Sequence, residues 1–245
     1  MIPNPIRKVL STFQNCEVRA LLMGGQACVL YGGTEFSRDT DFAVLADQEN
    51  LARVARAVEQ LHGEVIAVPP FAPEHLLRGH AVHFRCHHSE ADRMRVDVMS
   101  KMRGVAPFPE LWDRRTTFRE EDGTSYDILS LRDLVIAKKT QRDKDWPMIR
   151  RLIEADYAAN ADDPSRAQVR LWLAECRTPA MLMELAKRYP AECVTISEAR
   201  PLLREPLTLE ELEILLNNEE QAERAADREY WAPLKRELEQ MRRAS

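Results

Sequence analysis

The stretch Asp39-Thr40-Asp41-Phe42-Ala43-Val44 constrains this chain more than any other feature. Thr40, Phe42 and Val44 alternate with Asp39, Asp41 and Ala43, the two-residue period of a β-strand. Two acids two positions apart on a strand project from one face with Cα atoms roughly 6.5–7 Å apart, close enough to share a cation or bracket a pair of them. A second acidic strand position is found in Arg95-Val96-Asp97-Val98-Met99, where the valines can pack inward while Asp97 faces the other way. A neighbouring strand could therefore bring Asp97 beside the first pair.

The rest of the chain supplies the elements such a sheet needs. Asn4 and Pro5 read as the start of a helix with Ile6, Val9, Leu10 and Phe13 at helical spacing. Residues 18–23 read as a strand stopped by Gly24-Gly25, and Asp47 as the cap of a helix carrying Leu51, Val54, Ala55, Val58 and Leu61. Residues 64–68 are expected to form a strand, and 82–86 to pair with 94–99 across a polar turn. A hairpin is expected over 116–129 around Asp122-Gly123, then a helix from about Ser130 to Lys144, with Pro147 in the first turn of the next.

After Asn160 the pattern is entirely helical, and Thr208 with Glu211 makes a capping box. Residues 161–165 are the best boundary candidate, giving expected domains of 1–160 and 161–245. The expected class is α/β (α+β), a mixed sheet flanked by helices with a helical C-terminal region.

Composition excludes several functions without choosing one. Over 245 residues, 44% are hydrophobic and 31% charged, as in an ordinary globular protein. No apolar run approaches the ~18 residues of a membrane span, so no membrane role and a cytoplasmic location are expected. The five cysteines are widely spaced without a CxxC pair, which argues against a disulfide framework or a cysteine zinc site. A net charge of −5 gives no global attraction to nucleic acid. His80, His83, Cys86, His87 and His88 have zinc-ligand chemistry, but on a strand His83 and Cys86 face opposite sides, so the set reads as turn and sheet-surface residues. The four tryptophans read as core aromatics.

The carboxylates point to phosphate chemistry. Nucleotidyl transfer is catalysed mainly by positioning and by neutralising charge on phosphate oxygens, which two divalent ions ~3.5–4 Å apart can do. Gly24-Gly25 closes a strand, and the acid pair follows Gly25 by fourteen and sixteen residues. The stretches Met23-Gly24-Gly25-Gln26-Ala27 and Ser37-Arg38-Asp39-Thr40-Asp41-Phe42, with Asp97 as a later acid, resemble the minimal nucleotidyltransferases of the DNA polymerase β-like superfamily, in particular their abortive-infection toxin-like branch. The match covers roughly residues 20–150.

That resemblance implies a nucleotidyltransferase fold and a transfer of a nucleoside monophosphate from a nucleoside triphosphate, such as ATP, to an RNA end, a protein or a small molecule. It implies magnesium or manganese held by Asp39, Asp41 and Asp97, with Asp97 also able to take the acceptor's proton. It places Gly24 and Gly25 against the phosphates, with Ser37 and Arg38 beside them. Lys138 and Arg142, in Asp133-Leu134-Val135-Ile136-Ala137-Lys138-Lys139 and the following Arg142-Asp143-Lys144-Asp145, are its candidate triphosphate contacts, and Lys138, Arg142 and Asp145 could share one helical face. The branch also allows for a partner antitoxin protein. Two positions depart from the family pattern: Thr40 is usually apolar, and Ala43 lacks the acid that a frame shifted to Asp41 and position 43 would require. A non-catalytic member that binds nucleotide or a partner in a regulatory or defence pair is the alternative reading.

Overall fold

The computed structural model describes residues 4–33 and 37–244. Among them, seven strands form one mixed sheet: β1 Ala20–Met23, β2 Thr40–Val44, β3 Glu64–Val65, β4 Val82–Arg85, β5 Arg95–Met99, β6 Thr116–Arg119 and β7 Ser125–Ile128. Their order is β3-β4-β5-β2-β1-β7-β6, with β2/β5 and β1/β7 parallel and every other pair antiparallel. The helices are α1 Asn4–Asn15, α2 Gly24–Leu30, α3 Gln48–Gln60, α4 Pro73–Arg78, α5 Phe108–Asp113, α6 Leu131–Ala137, α7 Asp145–Asn160, α8 Arg166–Glu175, α9 Pro179–Arg188, α10 Pro190–Ser197 and α11 Leu209–Ala244. The chain is thus a mixed α/β protein.

Two compact units emerge, each with its own core. The first comprises residues 1–30, 34–137 and 230–245; the second comprises 31–33 and 138–229.

In the first unit the alternation in β2 sets an apolar row on one face of the sheet and Asp41 on the other, where Ala43 and its partner Leu21 are also buried. Phe42 lies in register with Leu22 and Val98, and these continue to Ile128 and Val82, so one apolar row crosses five strands. All five side chains are buried, and the Phe42 ring stacks on Phe13 of α1 with centroids 4.4 Å apart. Burying a residue of this size stabilises by about 1.5–3 kcal/mol, so this row specifies register: a one-residue slip would turn it to the opposite face. Asp47 caps α3 by accepting from the Asn50 amide, and Asn50 in turn accepts from Arg19 N at 2.7 Å.

Three expected elements are shorter than the sequence pattern implies, each because backbone donors are used elsewhere or are missing. The strand expected from Val18 starts at Ala20, since the Val18 amide donates to Phe13 O and the Arg19 amide to Asn50 Oδ1. The strand expected over 64–68 is assigned only at Glu64–Val65; Ile66 still donates to His83 O, but Pro69 and Pro70 have no N–H to continue a ladder. The helix expected to reach Lys144 stops at Ala137, and the next begins at Asp145. Lys138, Arg142 and Asp145 therefore do not share a helical face.

They meet by another route. The Asp145 carboxylate, 0% exposed, accepts from Lys138 Nζ at 3.3 Å, Thr140 Oγ1 at 2.5 Å and Arg142 Nε at 2.8 Å, pinning residues 138–144 as an irregular turn ahead of α7. Burial alone would raise the Asp145 pKa, but the Lys138 charge, the Thr140 hydroxyl and the Arg142 charge outweigh it and hold the group below the ordinary carboxylate value. A depressed native pKa contributes stability that is present above the unfolded value near 4 and is lost as pH falls through the folded value. Asp145→Asn is therefore expected to lower the melting temperature at neutral pH and to flatten the acid limb of the wild-type stability curve; equal acid limbs would contradict this. Breaking such a buried pair costs about 3 kcal/mol.

The second unit packs α7–α10 and the first part of α11 around Trp146, Ile149, Trp172, Leu173, Leu185 and Leu216. The Thr208–Glu211 capping box forms as expected, with Glu211 accepting from the Thr208 amide and hydroxyl. Ser165, within the segment 161–165, caps α8 in a second such box with Gln168. Trp146 and Trp172 are buried as expected, while Trp112 and Trp231 are only partly covered.

Candidate active site

The acids collect on the face opposite the Phe42 row. Met23, Asp41, Asp97 and His83 are register partners in sequence across β1, β2, β5 and β4. Since β2 and β5 are parallel and in register at Asp41 and Asp97, the two carboxylates rise side by side from strands spaced about 4.8 Å. Ala43 is instead partnered by Met99, so a frame using positions 41 and 43 would set the second position against a thioether rather than an acid. Thr40 is 0% exposed and in register with Val96, which places it on the face of the Phe42 row and Asp39 on the same side as Asp41.

Extending the β2/β5 register back by one residue sets Asp39 level with Arg95. The face thus carries a two-by-two arrangement: Asp39 and Asp41 along β2, Arg95 and Asp97 along β5. Arg95 Nε donates to Asp97 Oδ1 at 2.8 Å, and His83 Nδ1 lies 2.9 Å from the same oxygen and 3.0 Å from an Arg95 terminal nitrogen. Asp97 is half-buried, with its side chain 17% exposed. Burial would push its pKa up, but the hydrogen bonds to His83 and Arg95 prevail and hold it below the ordinary carboxylate value. The Arg95 guanidinium is held charged above its usual value by its bond to Asp97 and by the fields of Asp97, Asp39 and Asp41.

Gly24 and Gly25 press against this face. Gly24 has φ +66°, and a Cβ added to it would lie 1.9 Å from Asp41 Oδ2. A Cβ on Gly25 would lie 2.5 Å from Ser37 Oγ, and that hydroxyl donates to the Asp39 carbonyl at 3.3 Å. The double glycine thus lets the backbone at the end of β1 approach both the Asp41 carboxylate and the segment entering β2. Arg38 is exposed. Lys138 and Arg142 belong to the second unit, where both contact Asp145; the Lys138 side chain is 9% exposed.

The donor set of Asp39, Asp41 and Asp97 consists of hard carboxylate oxygens on one sheet face, the chemistry that magnesium and manganese require. Among the described residues no group of three or more His, Cys, Asp or Glu side chains is drawn together closely enough to hold an ion as it stands. At Asp97 a cation is already present in the form of Arg95. The residues match a divalent ion by donor type and share one sheet face, but they are not drawn together around a common point, and Arg95 is bonded to one of them.

Two members of this cluster escaped sequence reasoning. Arg95 lies two residues before Asp97 on the same strand, a spacing that puts both on one face, and that was the available signal. His83 reads from the sequence as a sheet-surface residue; the expected pairing of 82–86 with 94–99 forms, and its register is what sets His83 opposite Asp97. The remaining cluster residues disperse: His80 bonds Glu237, His87 bonds Glu64, and Cys86 is buried, its thiol pushed up to about 11 by burial.

A separate cavity of about 420 Å³ lies past the C-terminal ends of β2 and β5, lined by residues including Leu45, Met102, Phe108 and Tyr230. It shares no residue with the acid face. No family model matches the chain, and no curated protein matches it. Among the described residues no helix is long and apolar enough to cross a membrane.

Proposed function

We propose that this protein is a magnesium- or manganese-dependent nucleotidyltransferase with a polymerase β-like fold, moving a nucleoside monophosphate from a nucleoside triphosphate to an RNA end, a protein or a small molecule. One observation carries the reading: Asp41 and Asp97 are register partners on adjacent parallel strands, with Asp39 on the same face. The resemblance of the Gly-Gly and Asp-Thr-Asp stretches to toxin-like transferases supports it and makes an antitoxin partner part of the proposal.

In this reading the metal, when bound, supplies the positive charge that offsets negative charge developing on the phosphate oxygens. Asp39, Asp41 and Asp97 hold it. Gly24, whose backbone lies against Asp41, and Gly25, whose backbone lies against Ser37, are the proposed phosphate contacts. Asp97, kept ionised by Arg95 and His83, takes in this reading the role of base toward the attacking hydroxyl. Lys138 and Arg142, the triphosphate contacts that the resemblance suggests, are both engaged by Asp145 within the second unit.

Incubating purified protein with α-labelled triphosphates, magnesium and total cell RNA and protein is expected to label an acceptor, with the label lost in Asp39→Asn. Absence of transfer under conditions where a known transferase succeeds would overturn the proposal.

A second reading follows from the Arg95–Asp97 pair: a chain that binds nucleotide or a partner without turnover would have its third acid permanently neutralised in this way. ATP binding unchanged in Asp39→Ala and Asp97→Ala, without turnover, would favour it.

A further inference from the structure

We infer that Arg95 is a built-in competitor of the divalent cation, holding the fourth corner of the acid face and setting how tightly metal binds to Asp97. The inference rests on the transferase reading. Three carboxylates on one half-open face repel one another, and among the described residues the β2/β5 register sets the Arg95 guanidinium beside them. Two polar contacts to Asp97 among the described residues, from Arg95 Nε at 2.8 Å and His83 Nδ1 at 2.9 Å, converge on Oδ1. A divalent ion on the face needs electron pairs from the same carboxylate and brings two positive charges beside a third. Contact with Arg95 and coordination of metal are therefore opposed, and by linkage whatever weakens one strengthens the other.

The Arg95 side chain is 39% exposed, so it can swing into water without stranding a buried charge. Its replacement by a nearer, doubly charged ion is therefore a local rearrangement. A guanidinium on this face also limits what binds: a monovalent cation gains too little from two or three carboxylates to displace it, whereas a divalent ion gains about twice as much.

The test is direct manganese binding, read by the electron paramagnetic resonance of free Mn2+, on wild type, Arg95→Gln, Arg95→Lys, Asp97→Asn, Asp41→Asn and the double variant Arg95→Gln/Asp97→Asn. Arg95→Gln is expected to bind Mn2+ about tenfold more tightly than wild type, from removal of one like charge near a doubly charged ion. Arg95→Lys, which keeps the charge but loses the fork, should fall between. In the Asp97→Asn background the gain should shrink, because the competition runs through that carboxylate. Equal or weaker Mn2+ binding by Arg95→Gln, or an undiminished gain without Asp97, overturns the inference while leaving the transferase reading intact. If Arg95→Gln does not fold, Arg95→Lys decides, and an affinity no tighter than wild type overturns the inference. Mn2+ binding by wild type that survives both Asp41→Asn and Asp97→Asn overturns the transferase reading itself, and the inference with it.

Discussion

Asp41→Asn and Asp97→Asn are each expected to reduce nucleotidyl transfer by roughly a thousandfold or more while leaving the secondary structure unchanged. The expectation follows from register rather than composition. Asp41 and Asp97 are partners across β2/β5, so either substitution removes an anionic donor from the same point on the sheet while keeping nearly the same side-chain volume. Both residues face away from the Phe42 row, so hydrophobic packing is untouched. The two variants should differ in stability. Asp97→Asn loses the charge-assisted bond from Arg95, and the guanidinium is left with His83 and the fields of Asp39 and Asp41. Circular dichroism with a transfer assay separates the two effects, and near-wild-type transfer by either variant would remove that acid from the mechanism.

Gly24→Ala is expected to be the most damaging single-methyl addition in the first unit, destabilising by about 3 kcal/mol. Two costs add. The backbone at Gly24 has φ +66°, a conformation that alanine tolerates poorly, and the new Cβ would have to sit 1.9 Å from Asp41 Oδ2. The carboxylate would be driven from its place beside Asp97, so metal binding and stability should fall together. Gly25→Ala is the informative control. Its φ is not positive and its obstacle is Ser37 Oγ, a hydroxyl able to rotate, so a smaller loss is expected. Chemical denaturation of both variants checks this, and a Gly24→Ala protein as stable as wild type would mean that the close approach to Asp41 is not maintained in solution.

What the sequence made legible was governed by local period. The Thr40/Phe42/Val44 alternation, the Asp47 cap, the hairpin at Gly123 and the Thr208–Glu211 box are each written within a few residues, and each is found in the fold. Asp39, Asp41 and Asp97 could be selected by type and face, but their meeting depended on β5 lying next to β2, a neighbour relation between strands more than fifty residues apart. Arg95 was within reach of the same two-residue period that selected Asp97, whereas the approach of His83 depended on the β4/β5 register. The helix drawn through Lys138 failed differently: residues 138–144 have ample helical propensity, and a buried carboxylate at Asp145 overrides it by collecting their side chains. Propensity is worth tenths of a kilocalorie per residue, whereas a buried ion cluster left unpaired costs several kcal/mol.

The first unit is discontinuous: residues 230–245 return to it after the second unit is complete. Glu237, on the last turns of α11, is the partner of buried His80 at 2.9 Å and of Arg78. During synthesis, the sheet strands must wait for about a hundred residues beyond residue 137 before this partner is made. The contact between His80 and Glu237 is therefore among the last of the first unit to form as the chain is synthesised.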